Sequence, residues 1–300
     1  MPNDPLMEAV LASPPQTIEE LRNMLDAFTA TMNQDLPEVG AFHPAVLIRE
    51  VGGVRVTADV VVPAGRGPHP VLVYLHGGGW VAGSPASHRK LGYRFAEAGF
   101  LVFNVDYRMA PEHPFPASVE DCVEAIRWAA LAARSYGGDA ARLAVGGDSA
   151  GGNLTAAAVA VLAPDPSAPK VGAVLLIYGA FDFESMDRTS RRAQEAGQHL
   201  LEAMVGGYLG STRPLELLRD PRVSPIHAAG KLPPAYVLCG TADDLLEHTQ
   251  AMCERLSAAG IRHEKDVVVD MPHGFVQNET LPQARASIDR MAEFLRRELE

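Results

Sequence analysis

Three hundred residues, with hydrophobic side chains at 47% and charged ones at 21%, describe an ordinary globular chain able to bury a large core. A formal net charge of -11 at pH 7 argues against a nucleic-acid partner, which would need a basic face. No stretch approaches the ~20 apolar residues of a membrane span.

Residues 1–16 place acids where a secretory signal would carry lysines, so a cytoplasmic protein with no membrane partner is expected. Thr17-Ile18-Glu19-Glu20 has the spacing of a capping box and opens a helix. Ile18, Leu21, Leu25, Phe28 and Met32 then recur at helical spacing and form a stripe that has to cover something. Beyond Pro44 the residues become β-branched, and Gly52-Gly53 splits 45–51 from 54–62 as a hairpin. From Pro70 onward short apolar runs alternate with helical stretches. The runs are 71–75, 101–105, 143–145, 174–177, 236–238 and 267–269; the helices lie near 87–98, 117–134, 150–162, 246–259 and 283–298. Near-continuous apolar runs of this kind predict a mostly parallel sheet covered on both faces, with the hairpin at one edge. Residues 183–224 interrupt the rhythm with mixed charge and no good strand. Together with the N-terminal helix they are expected to roof the site.

Three cysteines, Cys122, Cys239 and Cys253, are an odd number without metal-like spacing. They read as small buried apolar residues in a reducing compartment, with neither a metal nor a disulfide framework implied.

The chemistry concentrates in four segments. Gly147-Asp148-Ser149-Ala150-Gly151 stands between a strand and a helix, where glycines allow a sharp turn to present Ser149 as a nucleophile. His76-Gly77-Gly78-Gly79-Trp80 follows a buried strand and can aim backbone N–H groups at a developing oxyanion. Gly78, Gly79 and Ala150 are the expected donors, with Gly77 a further candidate and His76 a brace for the loop. Of the histidines, His273 lies just past the last strand, at the sheet edge where ligands bind in α/β folds. His248 and His263 read as surface residues. The orienting acid belongs after the 236–238 strand, where Asp243 and Asp244 are nearly level on spacing. The chain order serine, aspartate, histidine is that of α/β-hydrolases.

These motifs resemble the hormone-sensitive-lipase family of α/β-hydrolases, in particular its bacterial carboxylesterases. The resemblance runs from about residue 40 onward. His76-Gly77-Gly78-Gly79 resembles the family's HGGG segment, Gly147 to Gly152 its GDSAGG segment, and His273-Gly274-Phe275 its HGF segment. Asp106 to Glu112 with Pro114-Phe115-Pro116 resembles a segment whose Tyr107, Arg108 and Glu112 are implied to be structural. The family implies one α/β-hydrolase domain over 1–300 with a helical cap from about 1–40 and 183–224. Aligned on Asp-Pro-Leu, it favours Asp243 as the acid, although Asp244 here replaces the proline. The implied activity is hydrolysis of short- to medium-chain carboxylic esters by Ser149, His273 and Asp243 without cofactor or metal. Ser87-His88-Arg89 resembles relatives acting on small esters and lactones. The alternatives are a lactone hydrolase or an amidase on the same residues, or a non-catalytic ligand receptor. Receptor-like relatives typically lack the histidine that His273 supplies here. A small-molecule ester is the expected partner, and a homodimer is compatible with the fold.

Overall fold

In the computed structural model, which describes residues 15–300, eight strands form one sheet in the order β1-β2-β4-β3-β5-β6-β7-β8. The strands are β1 (Ala41–Val51), β2 (Val54–Val62), β3 (His69–Leu75), β4 (Leu101–Asp106), β5 (Gly138–Asp148), β6 (Val171–Ile177), β7 (Ala235–Ala242) and β8 (His263–Pro272). β2 runs antiparallel to both β1 and β4, and every other neighbouring pair is parallel. The reading of residues 1–14 as free of a secretory signal, and the first part of the expected cap, lie outside the described residues.

Strand alternation divides the core. Val71, Val73 and Leu75 of β3 join the cluster beneath α3 (Ala117–Ala132), α4 (Ala150–Leu162) and α8 (Leu246–Ala258). Leu72 and Tyr74 point the other way, toward α2 (Arg89–Glu97) and α9 (Pro282–Leu299). Burial on both faces is why these strands read as continuous apolar runs rather than as alternating ones. The connection after β3 leads to β4 on one side of it, while β5 lies on the other side and continues toward β6. The loops after β3 and β5 therefore leave the sheet side by side at a topological switch point, where a crevice opens.

Three elements differ from the sequence reading. β1 starts at Ala41 rather than beyond Pro44, because a bulge between His43 and Val46 carries it past the proline. Ala45 takes φ 49° there and donates its amide to Asp59 Oδ1 at 2.9 Å. β5 and β8 extend well past their apolar runs, since their ends pair through backbone groups that hydropathy does not register. His248 is buried rather than on the surface: its Nδ1 accepts the amides of Phe181 and Asp182, each at 3.2 Å.

Residues 183–224 form α5 (Phe183–Glu195), α6 (Leu200–Leu209) and the short α7 (Leu215–Leu218). Arg213 is buried and joins α5 to α6, pairing with Asp187 at 2.9 Å and with Glu202. A buried charge of this kind persists only where opposite charges answer it. The group seats on the sheet through aromatic contacts. Tyr208 stacks on Trp80 with ring centroids 4.9 Å apart and planes 6° apart, and Phe183 lies 5.1 Å from the same indole. The N-terminal helix, α1 (Ile18–Met32), has the capping box its sequence predicts and buries Leu21. From it Arg22 bonds the carbonyls of Val81 and Ala110 and forms a forked pair with Glu112 at 2.8 and 2.7 Å. No helix among the described residues is long and apolar enough to cross a membrane.

Candidate active site

Ser149 stands between β5 and α4 with φ 55° and ψ -116°, a left-handed conformation that costs a β-carbon residue ~1–3 kcal/mol. The surroundings hold it there. Its amide donates to Ile177 O at 2.8 Å, and its carbonyl accepts the first bond of α4 from Asn153 N at 3.1 Å. Gly151 passes so close to the Leu75 carbonyl that no Cβ could fit, which is the physical reason for glycine in this turn.

The loop after β8 brings His273 over the serine, with Nε2 2.9 Å from Ser149 Oγ. On the far side of the ring, Nδ1 meets Asp243 Oδ2 at 2.9 Å and Oδ1 at 3.1 Å. Asp243 comes from the end of β7, its side chain fully buried, and Oδ1 also accepts the Leu245 amide at 2.8 Å. Asp244 is exposed and makes no bond to His273. The structure thus joins Ser149, His273 and Asp243 in one hydrogen-bonded line and leaves Asp244 outside it. Partial burial opposes the charged imidazole, but the bond and charge of Asp243, with Asp148 and Asp244 beyond, outweigh it and raise the His273 pKa above 6.5.

The glycine loop lies beside this line. Gly78 takes φ 126° and Gly79 φ 63°, and the Gly78 carbonyl is occupied by the amides of Val81 and Ala82. The amides of Gly78, Gly79 and Ala150 donate none of the hydrogen bonds found in the described loops, and Ala150 opens α4. Gly77 is different: its amide is spent on Asp148 Oδ1 at 3.1 Å, which removes it from the candidate donors. His76 braces the loop, stacked on Tyr107 at 4.3 Å with Nδ1 bonded to Gly77 O at 2.9 Å. Burial, reinforced by His88, drives its pKa down to about 3, so it is neutral. Tyr107 donates to His76 O at 2.7 Å, and Arg108 grips the buried Asp121 at 2.8 Å. Tyr107 therefore supports the glycine loop, and Arg108 ties its own segment to α3.

Several residues at the site were not singled out from sequence. Tyr178, at φ 36°, packs its ring 4.8 Å from that of His273. Met204 of α6 lies directly against Gly79. His88 and Gln277 converge on Asp148. Asp148 carried a sequence signal through its place beside the serine, and His88 through the Ser87-His88-Arg89 resemblance; Tyr178, Met204 and Gln277 come from distant segments and carried none. Among the described residues no group of three His, Cys, Asp or Glu side chains is arranged to hold a metal ion.

Comparison with known proteins identifies the family. The α/β-hydrolase fold family matches residues 72–277. The carboxylesterase NlhH of Mycobacterium tuberculosis is 34% identical over 223 residues, covering 71% of this chain and 69% of that protein. An acetyl-hydrolase of Streptomyces hygroscopicus is 34% identical over 247 residues, covering 80% and 79%. Among solved structures, a hyperthermophilic esterase from Pyrobaculum calidifontis superposes with a TM-score of 0.84 at 29% identity over 98% of each chain. With the serine turn and the glycine loop at the switch point of one sheet and the histidine loop brought over the serine, the chain belongs to the α/β-hydrolase family, in its hormone-sensitive-lipase branch.

Proposed function

We propose that this protein is a serine carboxylesterase that cleaves small carboxylic esters by two-step acyl transfer. The observation that carries the reading is the line Ser149–His273–Asp243, with both hydrogen bonds at 2.9 Å. His273 Nε2 takes the serine proton as Oγ attacks the ester carbonyl, and Asp243 holds the imidazole with its proton on Nδ1. The amides of Gly78, Gly79 and Ala150 receive the charge that develops on the carbonyl oxygen; their freedom from internal acceptors supports this role. His273 then returns its proton to the leaving alcohol, and water attacks the acyl-enzyme by the same route in reverse. None of these steps calls on a metal or an organic cofactor.

Helices α1 and α5–α7 form the cap in this reading, supported by the contacts of Arg22 with Val81 and of Met204 with Gly79. The contact of Met204 with Gly79 brings a cap side chain onto the glycine loop, which supports short to medium acyl chains. The kinship with an acetyl-hydrolase supports the same range. The test is hydrolysis of p-nitrophenyl acetate, butyrate, octanoate and palmitate, with an amide of the same acyl group alongside. Turnover is expected to peak at butyrate or shorter, with the amide far slower. A maximum at palmitate would overturn the chain-length reading, and failure on every ester would overturn the esterase reading.

The pH dependence follows from His273. The imidazole works as a base only when neutral, so kcat/KM rises with pH through the free-enzyme pKa of His273. Because Asp243 raises that pKa, the acid limb is expected to have its midpoint above 6.5. A titration of kcat/KM from about pH 5 to about pH 9 checks it; a midpoint below 6.5 would contradict the placement of Asp243.

A further inference from the structure

Asp148 is almost wholly buried, and its carboxylate gathers four groups from three separate segments. Oδ1 accepts from Tyr74 OH at the end of β3 (2.9 Å) and from the Gly77 amide in the glycine loop (3.1 Å). His88 Nε2, just before α2, lies 3.1 Å from the same oxygen. Oδ2 accepts from Gln277 Nε2 at 2.9 Å. Gln277 closes the turn Phe275–Gln277 that directly follows His273-Gly274. His88 is held in turn by Ser87, whose Oγ lies 2.9 Å from Nδ1 and donates to Ser84 O at 2.9 Å. The fit is close: a Cβ on Gly77 would stand 2.5 Å from Oδ2.

A buried carboxylate keeps its charge only while donors satisfy it, so those donors are held wherever the carboxylate is held. Asp148 is also covalently next to Ser149. One side chain therefore connects the backbone of the nucleophile, the loop with the unbonded amides and the loop that carries His273. We propose that Asp148 is a positioning residue that sets the register of these three loops, and that Gln277 is its link to His273. This rests on the esterase reading above and extends it to residues that do not touch the reacting atoms.

The carboxylate has a second consequence, through its charge. Burial pushes the Asp148 pKa up, but the electrostatic pull of the neighbouring His88 ring and the hydrogen bonds with His88, Tyr74 and Gln277 bring it below the usual carboxylate value, so Asp148 is ionised. It faces Tyr74, His76, His88, Tyr178 and Tyr107. His273 faces Asp243, Asp244 and the Tyr178 ring. Among these, Asp148 adds to the negative charge that favours the His273 imidazolium.

The test compares wild type, Gln277→Met, Asp148→Asn and the double variant. The readouts are p-nitrophenyl butyrate turnover, melting temperature and the rate at which a fluorophosphonate labels Ser149. Gln277→Met keeps the bulk and removes the amide. It is expected to lower kcat and the labelling rate about ten- to hundredfold, with KM within about twofold and the melting temperature nearly unchanged. Asp148→Asn is expected to move the acid limb of kcat/KM to lower pH, a shift that a purely structural loss would not produce. The double variant is expected to be no worse than Asp148→Asn alone, since both remove one connection. Wild-type turnover and labelling in Gln277→Met, or an acid limb unmoved in Asp148→Asn, would overturn the proposal. If Asp148→Asn fails to fold, Gln277→Met decides alone. A wild type that labels but hydrolyses no ester defeats the esterase reading, and the labelling rates still test the positioning role.

Discussion

Ser149→Ala is expected to lower ester turnover by at least about 10⁴-fold while leaving the fold in place. Alanine takes the φ of 55° at about the same cost as serine, and the bonds that hold the turn, Ser149 N to Ile177 O and Asn153 N to Ser149 O, are backbone bonds that survive the change. The side chain's own contribution to stability is one hydrogen bond, about 1 kcal/mol. A 10⁴-fold loss corresponds to about 5.5 kcal/mol of barrier. The gap between the two numbers is what identifies a nucleophile. The measurement pairs p-nitrophenyl butyrate turnover with the melting temperature and with mass-detected labelling by a fluorophosphonate. Loss of turnover and label at an unchanged melting temperature is the expected result; residual activity within tenfold of wild type would remove Ser149 from the mechanism.

The two neighbouring aspartates are expected to separate by a similar margin. Asp243→Asn keeps the shape but offers an amide N–H toward His273 Nδ1, which then becomes an acceptor and places its proton on Nε2. That proton faces Ser149 Oγ, so the ring can no longer act as the base. A loss of about 10⁴ in kcat is expected. Asp244→Asn changes an exposed side chain that makes no bond to His273, and turnover is expected to stay within about twofold. The pH profiles differ as well. Losing the Asp244 charge removes a minor contribution to the raised His273 pKa, so the acid limb shifts slightly downward with the maximum preserved. If Asp244→Asn proves the damaging change, the line drawn through Asp243 is wrong. Spacing alone left the two nearly level, because both follow β7 and spacing carries no information about direction; the resemblance to the family's Asp-Pro-Leu favoured Asp243. The structure separates them by burial: the Asp243 side chain is enclosed beside the imidazole, while that of Asp244 points to solvent.

How much was legible follows the range of each interaction. The capping box at Thr17, the hairpin turn at Gly52-Gly53 and the helices after 117, 150, 246 and 282 rest on contacts within a few residues, and local sequence determined them. The apolar runs of β3, β4 and β6 were visible because both of their faces are buried, whereas the polar ends of β5 and β8 were not, since backbone pairing alone extends them. Ser149 and the glycine loop were legible because a sharp turn and an open backbone demand glycine locally, and His273 because it directly follows the last strand. The bulge at Ala45, the burial of His248 and the convergence of Tyr74, Gly77, His88 and Gln277 on Asp148 depend on partners far apart in the chain. Sequence by itself therefore determined which segments meet at the candidate site, because those segments are turns with strict local demands. Only the tertiary structure decided which aspartate is enclosed beside the histidine and which groups gather on Asp148, because burial and hydrogen-bond partners are set by where distant segments meet.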